Sequence, residues 1–181
     1  MPKSKLKIFI AGHEGMVGSS IKRSLETQDS NLILTSSKVD LDLTNQSQVQ
    51  LFFQKNEIDQ VYIAAAKVGG IQANISYPAD FIYENLAIQS NLIHASHQAD
   101  INKLLILGCE GQAKVATDIA EAIGFQDISY EDPYRDADTF LDRKVFKSVK
   151  EHYSQYFIVA IGNNFLRERV SNQFLVDNKK A

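Results

Sequence analysis

The sequence predicts an α/β chain built on a doubly wound parallel sheet of about six strands, and three observations predict it. Short apolar runs recur along the chain, separated by stretches with helical periodicity. Two of these runs end in a glycine loop that leads straight into a helical pattern: Lys7-Ile-Phe-Ile-Ala-Gly-His-Glu-Gly-Met-Val-Gly18 and Lys103-Leu-Leu-Ile-Leu-Gly-Cys-Glu-Gly-Gln-Ala-Lys114. No linker-like or low-complexity stretch divides residues 1–181, so a single domain is expected.

Taken in order, Ile8 to Ala11 is a continuous apolar run, as expected of a strand covered on both faces. Val17, Ile21 and Leu25 then recur at a spacing of four and mark one helical face. Leu32 to Thr35 reads as the second strand. Thr44 is placed to cap a helix whose inner face carries Val49, Phe52 and Phe53. Val61 to Ala66 is the third strand. Pro78 opens a long helix with Ile82, Leu86 and Ile93 on a shared face. Leu104 to Leu107 is the fourth strand, and Val115, Ile119 and Ile123 give the next helix its face. Asp127 to Tyr130 is a weaker strand, followed by a polar loop from Glu131 to Asp138. Leu141, Val145 and Val149 suggest another helix, Tyr156 to Ile161 another strand, and Asn163 or Asn164 caps a final helix carrying Leu166, Val170 and Phe174. The expected architecture is Rossmann-like, with strand order 3-2-1-4-5-6 and a switch point between the first and fourth strands. Both glycine loops would then face each other across one crevice.

Composition narrows the function. The chain has 44% hydrophobic and 23% charged residues and a net charge of -3, with basic residues scattered rather than striped. That balance gives no general attraction to nucleic acid. One cysteine precludes an internal disulfide and fits a reducing compartment. No apolar run approaches the roughly 18 residues that span a bilayer, and the run from Leu6 to Ala11 is too short for a signal peptide, so a cytoplasmic chain without a membrane partner is expected.

Gly12, Gly15 and Gly18 form Gly-x-x-Gly-x-x-Gly after a strand and at the head of a helix. In that setting the first glycine permits a tight turn, the second lets a pyrophosphate approach, and the third lets the helix pack closely. Backbone N–H groups around Met16 and Val17 and the positive end of the helix dipole would face the anion. The end of the second strand helps to choose the cofactor. Thr35, Ser36, Ser37 and Lys38 offer hydroxyls and a cation where an NAD site usually has a carboxylate, which favours the 2′-phosphate of NADP. Glu14 argues the other way, and a solvated turn is the alternative. Asp42 and Leu43 are placed to flank an adenine.

Residues 6–108 resemble the GDP-L-fucose synthase family of extended short-chain dehydrogenase/reductases, which use NADPH. The resemblance rests on Ala11-Gly-His-Glu-Gly-Met-Val-Gly18, on Asp59-Gln-Val-Tyr-Ile-Ala-Ala-Ala-Lys-Val-Gly-Gly-Ile71, and on Tyr77-Pro-Ala-Asp-Phe-Ile-Tyr-Glu-Asn85. It implies that the three glycines cradle the pyrophosphate and that Ala64, Ala65 and Lys67 line the cofactor cleft. It also implies a homodimer through helix 79–99 and a GDP-sugar as substrate. The family usually has Arg where Glu14 stands and often another near Ser36. It also carries a Tyr-x-x-x-Lys pair for proton transfer at the sugar; no Tyr in this chain is followed four residues later by Lys. Its substrate lobe is not matched either. Catalytic residues are therefore not assigned, and a chain without independent catalysis is expected.

Residues 103–176 resemble a second family, the N-terminal nucleotide-sugar-binding domain of bacterial sugar O- and N-acyltransferases. The matching pieces are Leu105-Ile-Leu-Gly108, Gly111-Gln-Ala-Lys-Val115, Asp118-Ile-Ala-Glu121, Glu131-Asp-Pro133 and Phe157-Ile-Val-Ala-Ile-Gly-Asn-Asn164. That resemblance implies that Gly108, Gly111, Asp132, Gly162 and Asn163 surround a UDP-type nucleotide sugar. The two resemblances overlap on Lys103 to Gly108, so the chain reads as a hybrid of two halves.

Other residues weigh less. Cys109 at a helix start has a setting that lowers a thiol pKa, but an incidental small residue is the plainer reading. His94 and His97, three apart, can suit a metal, against a solvated helix face. Glu131, Asp132, Asp136 and Asp138 can gather a divalent ion with a diphosphate, against a hydrated loop. No metal site is assigned.

Overall fold

The computed structural model describes residues 6–27, 31–65, 67, 71–101, 103–107, 111–132, 137, 139–146 and 156–159. The described strands are β1 (Leu6–Ala11), β2 (Asn31–Leu34), β3 (Gln60–Ile63), β4 (Lys103–Leu107), β5 (Asp127–Glu131), β6 (Thr139–Phe140), β7 (Arg143–Phe146) and β8 (Tyr156–Val159). The helices are α1 (Met16–Leu25), α2 (Gln46–Asn56), α3 (Ile71–Ser76), α4 (Pro78–Gln98) and α5 (Gly111–Ile123). The strands form one sheet in the order β2-β1-β3-β8-β4-β5-β7-β6. Every pairing is parallel except β6 with β7. The result is a Rossmann-like parallel sheet, and no helix among the described residues is long and apolar enough to cross a membrane.

The order differs from 3-2-1-4-5-6. β1 lies between β2 and β3, with Phe9 level with both Leu34 and Val61. The third strand therefore returns across β1 instead of extending the sheet beyond β2. β1 and β4 are separated by β3 and β8. At the usual spacing of about 4.8 Å per strand they lie about 14 Å apart. The strands that lead into the two glycine segments, β1 and β4, are thus not neighbours, contrary to the expected switch point between them.

Handedness explains which face each helix takes. A crossover between parallel strands is right-handed, so reversing its direction along the sheet reverses the face it covers. The α1 crossover runs from β1 outward to β2; those through α2, α4 and α5 run the other way. Alternation along β1 matches this division. Ile8 and Ile10 pack with Val17, Ile21 and Leu25 of α1. Phe9 and Ala11 join Val49 and Phe53 of α2, Leu92 of α4 and Ala116 of α5 on the opposite face. Phe9 sits 4.7 Å from Phe52 and 6.1 Å from Phe53, ring centre to ring centre. The direction of travel reverses at β1, so the topological switch point of this half lies between β1 and β3.

Local differences have local causes. Asn45 caps α2, accepting from the Gln48 N–H at 3.2 Å, while Thr44 is bound to Asp42. On α4 the buried face is Phe81, Ile88, Leu92, Ile93, Ala95 and Ser96; Ile82 and Leu86 are exposed. On α5 the innermost residues are Ala113, Ala116, Thr117 and Ala120, with Ile119 and Ile123 only flanking the core. The Leu141–Val145 stretch is a hairpin: Leu141 and Asp142 take φ of 49° and 57° in its turn, as a tight two-residue connection requires. Val149 and the final helix expected near Asn163 lie outside the described residues.

Candidate dinucleotide site at the first switch point

β1 ends at Ala11, and the chain turns at once. Gly12 adopts φ +83°, and a Cβ there would lie 2.7 Å from Ala65 Cα and N. Both constraints exclude a side chain. The loop closes through the Gly15 N–H donating to Gly12 O at 3.1 Å, and the first turn of α1 follows with Ser19 N–H on Gly15 O at 2.8 Å. Gly18 is held as tightly: a Cβ would fall far inside contact with the Gly12 carbonyl oxygen and 2.9 Å from His13 Cα. This third glycine thus lets α1 close onto the loop itself.

Gly15 differs. Its φ of -70° suits any residue, and a Cβ would meet nothing nearer than Gly12 O at 3.4 Å. Among the described residues no close packing demands glycine at this position. Gly15 is also the N-cap of α1 and supplies no side-chain cap, and the first turn holds no acidic residue. The first-turn N–H groups, Met16 and Val17 among them, have no acceptor on the helix. Val17 is buried in the core, so only its backbone faces the loop; Met16 is exposed beside it. The result is a positive, uncapped helix start behind an uncrowded glycine, at a switch point.

Two loops frame this start. After β2, Ser36 is half-buried and Lys38 exposed; Ser37 donates to Asp40 Oδ2 at 2.6 Å, and Leu41 is buried. Asp42 Oδ1 accepts from the Thr44 N–H at 2.9 Å and the Thr44 hydroxyl at 2.7 Å. These bonds hold the Asp42 carboxyl below the ordinary carboxylate range against the opposing effect of burial, with a smaller contribution from Lys38. The Asp42 N–H donates to Gln48 Oε1 at 3.0 Å, and Leu43 O accepts from Asn91 Nδ2 at 3.0 Å. The Asp42–Thr44 turn is therefore tied to both α2 and α4.

After β3, the Ala64 N–H donates to Ala11 O at 2.9 Å, which locks Ala64 and Ala65 against the glycine loop. Lys67 is oriented otherwise than a cleft-lining role suggests. Its ammonium pairs with Glu84 and lies 5.2 Å above the Phe81 ring, while its backbone N–H and carbonyl bond the Asn85 amide. Lys67 serves to fasten this loop to α4.

The structure thus gathers Gly12, Gly15, Met16, Val17, Gly18, Ala64 and Ala65 at the carboxyl ends of β1 and β3, with Ser36, Lys38, Asp42 and Leu43 following β2. Gly111 begins α5 and Asp132 follows β5, where its N–H donates to Phe146 O at 3.0 Å; neither belongs to this cluster. Gly108, Gly162, Asn163, Cys109, Asp136 and Asp138 lie outside the described residues. His94 and His97 do not form the solvated face: both are half-buried, their Nδ1 atoms are enclosed without a hydrogen-bond partner among the described residues, and His97 stacks 5.4 Å from Phe125. Among the described residues no three His, Cys, Asp or Glu side chains come together as a metal site. Sequence reasoning missed Gln48, Glu84, Asn85 and Asn91. The Asp-x-Thr spacing of residues 42–44 is a recognisable side-chain turn, whereas the contact of Asn91 across 48 positions leaves no local signal.

Residues 8–178 match the NAD dependent epimerase/dehydratase family. GDP-L-fucose synthase from Escherichia coli (strain K12) is 56% identical over 105 residues, covering 58% of this chain and 33% of that protein. GDP-L-fucose synthase 1 from Arabidopsis thaliana is 48% identical over 108 residues, covering 60% and 33%. The chain spans about a third of the length of these relatives. Among solved structures, the GDP-mannoheptose C4 reductase of Campylobacter jejuni, with NADP bound, is similar at 37% identity and a TM-score of 0.54, covering 60% of this chain and 34% of that one. A dTDP-4-dehydrorhamnose reductase from Clostridium acetobutylicum shares the fold at 20% identity and a TM-score of 0.55, over 75% of this chain and 56% of that one. A strand, glycine cradle and uncapped helix placed at a switch point, together with a match spanning nearly the whole sequence, make this chain a member of the NAD dependent epimerase/dehydratase family.

Proposed function

We propose that this chain binds a nicotinamide dinucleotide at the β1/β3 switch point, takes NADP(H) in preference to NAD(H), and belongs to nucleotide-sugar metabolism. The observation that carries the reading is the geometry of the three glycines. Gly12 and Gly18 are fixed by close packing, and Gly15, uncrowded among the described residues, stands before helix N–H groups that have no side-chain cap from it. A pyrophosphate suits that arrangement in charge and in its hydrogen-bond acceptors. Lys38 would meet the 2′-phosphate, Asp42 and Leu43 the adenine, and Ala64 and Ala65 the nicotinamide side. A bound nicotinamide would supply hydride chemistry. The sugar-nucleotide assignment draws on relatives named as GDP-sugar synthases and reductases. The chain contains no Tyr-x-x-x-Lys pair, so the proposal is binding without independent turnover.

Calorimetric titration with NADPH, NADH, a GDP-sugar and a UDP-sugar tests this, with Gly15→Asp as the control. NADPH binding at micromolar affinity that Gly15→Asp abolishes is the expected result. Absence of binding by either dinucleotide would refute the reading, and reduction of a GDP-4-keto-sugar would refute its catalytic clause.

A second reading has one observation in its favour. β4 lies between β5 and β8, repeating the placement of β1 between β2 and β3. Residues 103–176 would then form a nucleotide-sugar-binding half of the sugar-acyltransferase type, with Gly111 and Asp132 at its own switch point and a hybrid origin for the chain. It predicts a larger thermal shift with UDP-sugars than with NADPH. The exposed apolar residues of α4 further support pairing of two copies through helix 79–99.

A further inference from the structure

We propose that Asn91, on α4, is a positioning residue for the adenine end of the dinucleotide site; the inference rests on the cofactor reading above. The Asp42–Thr44 turn follows β2, on the side of β1 where the adenosine half of a dinucleotide lies. Three hydrogen bonds fix its shape. The Thr44 N–H and hydroxyl both go to Asp42 Oδ1, and the Asn45 N–H goes to Asp42 O at 3.0 Å. With Oδ1 engaged twice, Oδ2 remains the natural acceptor for an exocyclic amine. The turn's position depends on two other bonds, each from a helix. Gln48 Oε1 holds the Asp42 N–H from α2, and Asn91 Nδ2 holds Leu43 O from α4.

The Asn91 bond is the long-range one of the two, spanning 48 positions, and it is partly buried. It sets the distance between the adenine-flanking turn and the helix that also fastens the other cofactor loop through Asn85. Asn91 is therefore distinct from a packing residue. Its amide donates to the Leu43 carbonyl and so acts on a turn that faces one end of the ligand. Loss of the donor should loosen adenine recognition and leave the pyrophosphate and nicotinamide contacts intact.

The experiment compares two fragments on the whole chain, adenosine 2′,5′-bisphosphate and nicotinamide mononucleotide, with affinities read by ligand-observed NMR titration beside a thermal melt. Asn91→Asp keeps the shape and removes the donor. The expected result is an affinity for the adenosine fragment weaker by about five- to tenfold, as for one lost hydrogen bond, with nicotinamide mononucleotide unchanged within about twofold. Asn91→Gln, which retains a donor, should recover part of the loss. Gln48→Ala, which releases the turn's other tether, should reproduce the adenine-selective defect even if Asn91→Asp folds poorly. Equal weakening of both fragments, or no weakening of the adenosine fragment in either variant, overturns the inference while leaving the cofactor reading standing. A wild-type chain that binds neither fragment overturns both.

Discussion

Gly15 and Gly18 sit three residues apart across the start of α1 and are expected to fail in opposite ways. A methyl at Gly18 collides with the Gly12 carbonyl and the His13 backbone, neither of which can yield as a flexible side chain would. Gly18→Ala should cost about 2–3 kcal/mol of stability, read from a shift in the urea midpoint. A methyl at Gly15 meets only Gly12 O at the edge of contact. Gly15→Ala should leave stability within about 0.5 kcal/mol and weaken NADPH binding, because the loss falls on the ligand's side. Equal destabilisation by the two substitutions would show that Gly15 is not uncrowded. Lys38 gives a second residue-level expectation. It is exposed in the loop after β2, and Ser37 is already committed to Asp40. Lys38→Glu should therefore lower the NADPH affinity and raise the NADH affinity, reversing their order in a competition titration. An unchanged order would place 2′-phosphate recognition elsewhere. The tight glycine turn into α1 was legible in sequence because glycine spacing after a strand has few physical uses. The contacts that pin Gly12 and Gly18 were not legible, since they depend on backbone atoms of Ala64 and Ala65 meeting Gly12, and of Gly12 and His13 meeting Gly18.

At the scale of elements, α2 separates two neighbouring side chains that sequence alone would interchange. Thr44 and Asn45 are both good cap residues, and only the geometry assigns the cap to Asn45 and Thr44 to the Asp42 turn. Asn45→Ala should thus cost about 1 kcal/mol, with no change in the acid limb of the stability profile. Thr44→Val should act on that limb instead. Asp42 has a depressed pKa in the folded chain, so it contributes stability above its unfolded value near 3.8 and loses that contribution as pH falls through the folded value. Removing the Thr44 hydroxyl, the largest cause of the depression, should flatten the loss of stability below pH 4 in urea titrations at stepped pH. An acid limb identical to wild type would remove Asp42 from that account. Elsewhere, periodicity located the helices but not always their inner faces. On α5 the sheet is approached so closely that Ala113, Ala116 and Ala120 take the centre, and the larger Ile119 and Ile123 are displaced to the flanks. The stretch from Thr139 to Phe146 has apolar residues at helical spacing as well, but Leu141 occupies the hairpin turn and is exposed, so its spacing from Val145 carried no helical meaning.

At the scale of the molecule, alternating strands and helices made the parallel sheet legible, whereas its order was not. The direction in which α2 carries the chain from β2 depends on which face of β1 its apolar residues meet. Both faces of β1 are apolar, Ile8 and Ile10 on one and Phe9 and Ala11 on the other. Nothing local distinguishes a third strand beyond β2 from one returning past β1. The exposed face of α4 is a further property of the whole fold. Helical spacing put Ile82 and Leu86 toward a core, yet the chain turns Phe81, Ile88 and Leu92 to the sheet and leaves Ile82 and Leu86 outside, 61% and 40% exposed, with Tyr83 at 73%. Ile82 and Leu86 lie one turn apart and Tyr83 beside them, so they form one apolar strip on a helix of 21 residues. Stable interfaces commonly cover about 800 Å² on each partner, more than this strip alone supplies, so pairing would have to run along the helix and take in its flanks. Ile82→Lys together with Leu86→Lys tests the proposed pairing. Neither side chain supports the core, so the unfolding midpoint at low protein concentration should stay within about 0.5 kcal/mol of wild type. Sedimentation velocity should then show a wild-type chain whose mass rises with concentration and a double variant that remains a monomer. A wild-type chain that stays monomeric throughout the series would show that α4 is not a self-pairing surface.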